Sequence, residues 1–427
     1  MKSKMNSKKT NESFFIKRMF LLCVIFELMV MIISCYSKND SVIIVYGNFT
    51  IALCAILLTV IANKFRISFL KKIEAVQIIG FGFVQILMYM LNSLKYDTIF
   101  FDIHKLFMCL GMMFACFYVS QKYSCSNKLF NKIIDVVLIF GIIVTIYNFW
   151  VNLSYFKLGN LTQIMIYSWN FKGFFPARAA YGTFVSICAI IALFRFEERR
   201  RIWWIAICIW LVLNVLITAA RAQCIAVIIA ISIYLVRSKK YRKYLILGCA
   251  ILILLLLILN EDFFTNITST YYMFFDHTYG RNTDISTGRL TLWFTALKNM
   301  DPLNWLVGNG IGSKDMIMEI RGVTILNERL LSFHSGYIDL LFETGIAGYC
   351  LWGSIICKTI QRVNSFCPEK IKHLFGSIAA VILVSCLFDS CYLIFTTDTM
   401  SLFATFIMIC FPITVSSYYK NLEGAVI

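Results

Sequence analysis

Long apolar runs separated by short polar segments are the dominant pattern of this chain. Many of these runs approach the roughly 20 residues that an α-helix needs to cross about 30 Å of hydrocarbon. Read in windows of about 19 residues, the runs predict helices over residues 19–34, 41–62, 73–94, 99–119, 133–153, 177–194, 202–220, 222–236, 244–259, 337–360, 374–395 and 399–415. The pattern therefore predicts an all-α polytopic membrane protein of about twelve transmembrane helices.

Composition supports the same conclusion. Of the 427 residues, 59% are hydrophobic and only 15% are charged, whereas soluble domains usually carry about 25% charged residues. Most of the sixteen cysteines lie inside apolar runs, where a thiol behaves as a small apolar side chain. No CxxC spacing suited to zinc occurs, so neither a metal site nor a disulfide framework is predicted, and no cofactor is expected.

The basic residues indicate how the chain is oriented. They cluster at the N-terminus and in residues 64–72, 122–132, 195–201, 237–243 and 358–372. Cytoplasmic loops of membrane proteins hold an excess of Lys and Arg. The net charge of +17 is therefore interpreted as a topology signal rather than as a sign of nucleic-acid binding. With twelve crossings, both termini are predicted to be cytoplasmic, and residues 154–176, the turn at Arg221 and residues 260–333 are predicted to be external.

The longest external segment divides the chain into residues 1–259, 260–335 and 336–427, of which the first and last are helical membrane regions. Within the loop, the apolar spacing of Leu290, Trp293, Phe294 and Leu297 predicts an amphipathic helix lying at the interface. The glycines that begin at Gly308 lack the preceding strand and the spacing of a dinucleotide loop, so this stretch is interpreted as a flexible turn.

Two arginines of the external side are candidates for anion binding. Arg221 stands between two apolar runs with almost no loop to spare, where a guanidinium needs the interface, water or an anion. It is either an interfacial snorkelling residue or a bidentate phosphate ligand. Arg289 stands at the start of the predicted interfacial helix, where backbone N–H groups favour an anion, although arginines near helix starts are often simply solvated.

His334 opens the membrane helix that follows the loop. A histidine at such a place can be structural, or it can exchange a proton near neutral pH on the external face. Glu343 follows nine residues later, about two and a half turns or about 13 Å deeper. A carboxyl group at that depth needs a partner or water, which indicates a hydrated cleft that Asp339 shares.

These motifs together resemble the Wzy-type O-antigen and capsular polysaccharide polymerases and the related O-antigen ligases. Three motifs carry the resemblance. The first is a histidine followed by Asn, Ser or Gln, and after nine further residues by Gly-x-x-Gly. The second is an arginine at a tight external turn, and the third is Gly-Arg before a helix that bears an aromatic residue. Here these are His334, Ser335, Gly345 and Gly348; Arg221; and Gly288, Arg289 and Trp293. Arg178 stands where family members often have an asparagine.

The resemblance implies a GT-C-like glycosyltransferase architecture at the outer face of the bacterial plasma membrane. The implied enzyme transfers a polyprenyl-diphosphate-linked glycan, without a metal, onto a lipid-linked repeat unit. His334, Arg289 and Arg221 would be catalytic, and substrate-binding roles fall to Arg178, Glu343, Ser335 and Arg281. The implied partners are the lipid-linked oligosaccharide donor and acceptor, the lipid bilayer, and a chain-length regulator and flippase of the same pathway, with no nucleic acid.

Two alternatives stay open at this point. An O-antigen ligase would use the same donor groups, so the motifs do not separate it from a polymerase. A flippase or transporter of lipid-linked glycans would perform no chemistry. Transporters usually hold their charges near the midplane, whereas this chain concentrates them at one face, although Asp102, His104, Lys105 and Asp389 keep transport open.

Overall fold

The computed structural model describes residues 73–95, 110, 124–154, 170–175, 177–218, 220–238, 289–311, 314, 317, 333–388 and 399–423. All regular elements in these ranges are helical, as predicted. They are α1 (Ile73–Lys95), α2 (Asn127–Val151), α3 (Arg178–Arg199), α4 (Trp203–Ile217), α5 (Arg221–Arg237), α6 (Arg289–Lys298), α7 (Pro302–Val307), α8 (Gly336–Phe366), α9 (Glu369–Cys386), α10 (Thr399–Thr405) and α11 (Phe411–Glu423).

The helices α1 to α5 and α8 to α11 coincide with eight of the predicted apolar helices, α10 and α11 together covering the last of them. Within the described ranges, α2, α3 and α8 are each long and apolar enough to cross a membrane. The predicted helices over residues 19–34, 41–62, 99–119 and 244–259 lie outside the described residues, apart from residue 110. Membrane crossing is thus supported for three helices, and twelve crossings stay a prediction.

Helix α3 forms the centre of the bundle. It packs against α2, α4, α5 and α9, and its residues from Ala180 to Ala192 are buried almost without interruption. A helix that is apolar on every side must be surrounded by other helices or by lipid. The first turn of α3 therefore lies at one end of a packed core, where side chains of several helices meet.

The opposite end of α3 carries a buried ionic network. Arg195 is fully buried and pairs with Asp135 at 2.8 Å and with Glu198. Nearby, Glu197 accepts a hydrogen bond of 2.6 Å from the hydroxyl of Tyr234 on α5. Arg237 at the end of α5 acts electrostatically on Glu369 at the start of α9. Three of the predicted basic clusters are thus brought to the same end of the bundle.

Helix α8 is broken near its first third. Gly345 has φ 64° and ψ −170°, a combination that is essentially restricted to glycine. The apolar pattern predicted one continuous helix, because a break of a single residue leaves the spacing of apolar side chains nearly unchanged. The residues before Gly345 form a short stub that carries Asp339 and Glu343 toward the core. A second irregularity is a π-helical turn over Phe406–Cys410, between α10 and α11.

Candidate functional site

Three arginines from distant parts of the sequence converge at the end of the bundle where α3 begins. The positive charges of Arg221 and Arg289 both act electrostatically on Arg178, in the sense expected for neighbouring like charges. Arg178 also donates a hydrogen bond of 3.5 Å to the carbonyl of Thr218, at the end of α4. The turn with Arg221 and the loop with Arg289 therefore meet in space, a proximity that spacing along the chain does not imply.

The backbone around these arginines adds to the positive potential. Arg178 and Arg221 are the first residues of α3 and α5, and the preceding residues, Ala177 and Ala220, have no side chain that caps the helix. The N–H groups of a first helical turn carry partial positive charge, so a cation at this position is disfavoured and an anion is favoured. Two helix starts without side-chain caps and three guanidinium groups thus place positive potential at this end of the bundle.

His334 lies beside this arginine cluster. The charges of Arg289 and Lys314 both act on its imidazole. The residue as a whole is exposed, but its ring is partly desolvated. Desolvation is the largest cause that lowers the pKa of His334 below its ordinary value, and the positive charges of Arg289 and Lys314 lower it further. The imidazole is therefore neutral near pH 7 and able to accept a proton.

The backbone at His334 is held in an unusual conformation. Its φ is 51°, in the left-handed region that residues other than glycine seldom adopt. The preceding residue, Phe333, is buried, and its carbonyl accepts a hydrogen bond of 2.8 Å from the indole of Trp293 on α6. Its N–H donates to the carboxylate of Asp339 at 3.4 Å. Phe333 is thus fixed from both sides, and this anchoring maintains the turn that presents His334.

Lys314 is a member of the site that sequence reasoning missed. Its ammonium group lies 3.2 Å from the carboxylate of Asp339, and its charge acts on His334. The sequence prediction placed Asp339 in a hydrated cleft with Glu343, whereas the structure shows Asp339 paired with Lys314 and bound to the backbone at Phe333. No local sequence pattern predicts this ion pair, because its partners stand 25 positions apart.

The loop after α7 is docked into the break of α8. The N–H groups of Asn309 and Gly310 donate to the carbonyls of Phe342 and Glu343 at 3.0 and 2.9 Å. These carbonyls belong to the last turn of the helical stub before Gly345, where helix ends leave acceptors unsatisfied. The expectation of a flexible turn at the glycine-rich stretch is therefore wrong for residues 308–311, which are buried and hydrogen bonded.

Gly345 of the histidine motif has a structural reason in this docking. A Cβ atom at Gly345 would lie 2.5 Å from the backbone nitrogen of Gly308 and 2.6 Å from the backbone of Leu306. Gly308 has φ 80° and ψ −176°, the same restricted conformation as Gly345. The two backbones pass each other at a distance that leaves no room for a side chain. Gly345 therefore positions the helix that begins beside His334.

A buried polar network supports the segment that precedes Arg178. The hydroxyl of Tyr181 donates to Asn214 on α4 at 3.0 Å and accepts from Asn148 on α2 at 3.1 Å. The amide oxygen of Asn148 also accepts a hydrogen bond of 3.1 Å from the backbone N–H of Gly173. Three helices and the segment over residues 170–175 are thus tied together one turn below Arg178.

The remaining predicted site residues have different surroundings. Ser335 is buried, and its carbonyl accepts a hydrogen bond of 2.9 Å from the N–H of Asp339, which closes the first turn of α8. Glu343 is buried in the stub of α8, and its carbonyl contributes to the docking of the glycine loop. Arg281 lies outside the described residues. Within the described part of the chain, no group of three or more potential metal ligands occurs.

A comparison with protein families bears directly on this arrangement. Residues 206–353 match the model of the O-antigen ligase family, Wzy_C. The chain carries an O-antigen ligase domain. This region covers about a third of the chain and contains Arg221, Arg289, His334 and the broken part of α8, whereas Arg178 lies outside it. This match supports a membrane enzyme of O-antigen ligase or polymerase type, because the matched family consists of glycosyltransferase-like ligases and polymerases.

The predicted resemblance is confirmed by this match, which falls on the region that contains all three of its motifs. A search among curated proteins gives no match. The O-antigen ligase domain begins within α4 and ends within α8, so it joins the arginine turn and the histidine turn in one unit. Arg178 lies outside that unit in sequence and is the first residue of α3, the central helix of the bundle.

Proposed function

We propose that this protein is a polysaccharide polymerase of the outer face of the bacterial plasma membrane. In this proposal it transfers a glycan from a polyprenyl diphosphate onto a lipid-linked repeat unit, without a metal. The observation that carries the proposal is the convergence of Arg178, Arg221 and Arg289 on two uncapped helix starts beside a neutral histidine. Lipid-linked polysaccharide substrates are also what the family of the domain implies.

The chemistry follows from the charges of the reacting groups. An acceptor hydroxyl attacks the anomeric carbon of the donor sugar, and the bond from that carbon to the diphosphate oxygen breaks. The diphosphate leaves with one more negative charge than it had in the donor. Guanidinium groups that are already in place stabilise charge that develops in the transition state, and removal of one such group usually lowers kcat about 10²- to 10³-fold.

His334 fits the role of the base that takes the proton from the attacking hydroxyl. A base must be unprotonated at the working pH, and the lowered pKa of His334 satisfies this condition. A role in holding the diphosphate is the alternative, and it would require the imidazolium form or an N–H donated by the neutral ring. The position of His334 beside Arg289 suits both roles, and the pH dependence of the reaction separates them.

The proposal is tested by reaction of the purified protein with a synthetic lipid-linked repeat unit, with chelator present, followed by separation of the products by length. A ladder of products with several repeat units is expected. Arg221→Ala, Arg289→Ala and His334→Ala are expected to abolish the ladder while the protein stays folded in detergent. Arg201→Ala, an exposed arginine at the opposite end of α3, is the matched control and is expected to retain activity.

The outcomes separate the proposal from its alternatives. Ladders of normal length in all three site variants would refute the assignment of these residues. Transfer to a core oligosaccharide lipid but not to a second repeat unit would identify a ligase of the same family. A wild-type protein that moves the lipid-linked glycan across vesicles, and forms no new glycosidic bond with either acceptor, would identify a transporter.

A further inference from the structure

A largely buried ion pair is joined to the turn that presents His334. The ammonium group of Lys314 lies 3.2 Å from a carboxylate oxygen of Asp339, and the two side chains are only 15% and 8% exposed. Burial of such a pair costs the desolvation of both charges, and two apolar side chains of similar size often stabilise a fold as well. Charges that are kept at this place therefore point to a role in the site.

The carboxylate of Asp339 closes the chain around His334. The oxygen that meets Lys314 also accepts a hydrogen bond of 3.4 Å from the backbone N–H of Phe333. Asp339 lies in the first turn of α8, and its own N–H donates to the carbonyl of Ser335 at 2.9 Å. The side chain and the backbone of one residue thus bind the residues on both sides of His334.

The backbone of His334 needs such support. Its φ of 51° is a conformation that a residue with a side chain keeps only where its surroundings enforce it. Phe333 and Ile317 are buried in the same small apolar cluster. Because Ile317 follows Lys314 by three residues, one stretch of chain reaches the turn through an apolar contact and through the ion pair. Loss of the pair would therefore loosen the turn from this side.

Lys314 also contributes charge to the site. Arg289, at the start of α6, and Lys314 both act electrostatically on the imidazole of His334, and both disfavour its protonated form. The carboxylate of Asp339 offsets part of the charge of Lys314, because opposite charges at hydrogen-bond distance cancel much of each other's field. The ion pair thus determines how strongly this side of the site opposes a proton on His334.

We propose that Lys314 and Asp339 are a positioning pair for His334: Asp339 fixes the turn through Phe333, and Lys314 holds Asp339 and favours the unprotonated imidazole. This inference rests on the proposed function, in which His334 takes the proton of the attacking hydroxyl. It adds two residues that act through the histidine rather than on the substrate.

Two substitutions of similar size separate charge from geometry. Lys314→Met removes the cation, so the pKa of His334 is expected to rise. Asp339→Asn keeps an oxygen that can accept from Phe333 but leaves the charge of Lys314 without its counter-charge, so the pKa of His334 is expected to fall. The two midpoints are expected to move in opposite directions, each by about half a pH unit. Lys314→Arg retains the charge and is expected to keep the midpoint of the wild type.

The histidine is observed directly by NMR titration of the purified full-length protein in detergent, with labelled histidine. The chain has four histidines, and the signal of His334 is the one that is absent from His334→Gln. Lys95→Met is the matched control, because Lys95 forms an ion pair of 3.0 Å with Asp301 in which both side chains are about half exposed. It is expected to leave the midpoint and the activity unchanged.

The same variants are assayed for glycan transfer. Lys314→Met and Asp339→Asn are expected to lower kcat about 10- to 100-fold, because small displacements of a reacting group have effects of this size, with a smaller change in KM. The acid limb of the pH profile is expected to follow the NMR midpoint in each variant. Lys314→Arg is expected to recover most of the lost activity.

The inference is overturned if the midpoint of His334 stays in place in both variants, or moves in the same direction in both. A loss of activity that only follows a fall in Tm, with an unmoved midpoint, would assign the pair to the fold alone. If Asp339→Asn does not fold, the comparison of Lys314→Met with Lys314→Arg decides the question.

Failure of the proposed function has a different signature, namely the expected shifts of the His334 midpoint in a protein that forms no glycosidic bond. Glycan transfer with an unmoved midpoint in every variant would instead reject the positioning pair and retain the function.

Discussion

The sharpest structural test concerns Gly345, at the break of α8. Replacement by alanine puts a Cβ atom 2.5 Å from the backbone nitrogen of Gly308, so one of the two chains has to move. The conformation of Gly345 alone costs a residue with a side chain about 1–3 kcal/mol. Separation of the chains also weakens the two hydrogen bonds of Asn309 and Gly310 with α8, each worth about 0.5–1.5 kcal/mol.

These contributions add to a destabilisation of about 2–6 kcal/mol for Gly345→Ala. Gly353 on the same helix is the matched control, because a Cβ atom there meets nothing within 4 Å and the residue lies in regular helix. Alanine is favoured over glycine inside a helix by about 1 kcal/mol. The same chemical change, eight residues apart, is therefore expected to have opposite signs.

The assay is thermal unfolding of the purified variants in one detergent, at one protein concentration and one scan rate. Hydrogen exchange of the segment over residues 304–311 reports directly on the docked loop. Gly345→Ala is expected to lower Tm by several degrees and to speed exchange at Asn309 and Gly310, whereas Gly353→Ala is expected to maintain or raise Tm. Unchanged Tm and unchanged exchange in Gly345→Ala would show that the loop is not held by the break in α8.

Three further predictions address other parts of the molecule. Tyr181→Phe removes a hydroxyl shared by two buried amides and is expected to lower the free energy of unfolding by about 1–3 kcal/mol, measured by denaturant titration. If His334 is the base, activity rises with pH through a midpoint below the ordinary pKa of histidine and is level above it, because only the neutral imidazole accepts the proton; His334→Gln would lose most activity, and any residual activity would lack this acid limb. Arg195→Met leaves Asp135 without its buried partner and is expected to cost about 1–3 kcal/mol, whereas unchanged Tm would show that the pair is energetically neutral.

The positions of the apolar helices that the structure describes could be predicted from the sequence, because burial in lipid or protein demands long apolar runs. Helix α3 illustrates this, since the predicted range of 177–194 falls within a structural range of Arg178–Arg199 apart from its first residue. The ends differ because polar residues such as Arg195 continue the helix while their charges are neutralised by neighbours. Apolar runs report where a helix can be buried, and they do not report where charged residues extend it.

The candidate site could be predicted in part. Arg221, Arg289 and His334 were recognisable because each combines an unusual residue with a helix start or a tight turn. The break at Gly345 and the pairing of Lys314 with Asp339 were not recognisable, since both depend on contacts between segments that are distant in sequence. Glycine-rich stretches indicate conformational freedom when read alone, whereas in this structure they mark the place where two backbones need to approach closely.

The three arginines impose an energetic conflict that leads to a last prediction. Arg178, Arg221 and Arg289 repel one another, and Arg178 is also desolvated by its surroundings. A protein that holds like charges together is less stable without its anion than one that does not. Arg178→Gln removes the charge and retains an N–H that can donate to the carbonyl of Thr218, the partner of Arg178 in the present structure.

This variant is therefore expected to raise Tm at low salt, by an amount that falls as salt increases, because ions screen the repulsion between partly exposed charges. Inorganic diphosphate is expected to raise the Tm of the wild type more than that of Arg178→Gln, because at equal concentration the ligand that binds more tightly stabilises the folded state more. A lower Tm of Arg178→Gln at low salt would show that the contact of Arg178 with Thr218 stabilises the fold more than the repulsion from the other two arginines destabilises it. Higher stability with weaker diphosphate binding would instead show that the arginine cluster is maintained for binding at the expense of stability.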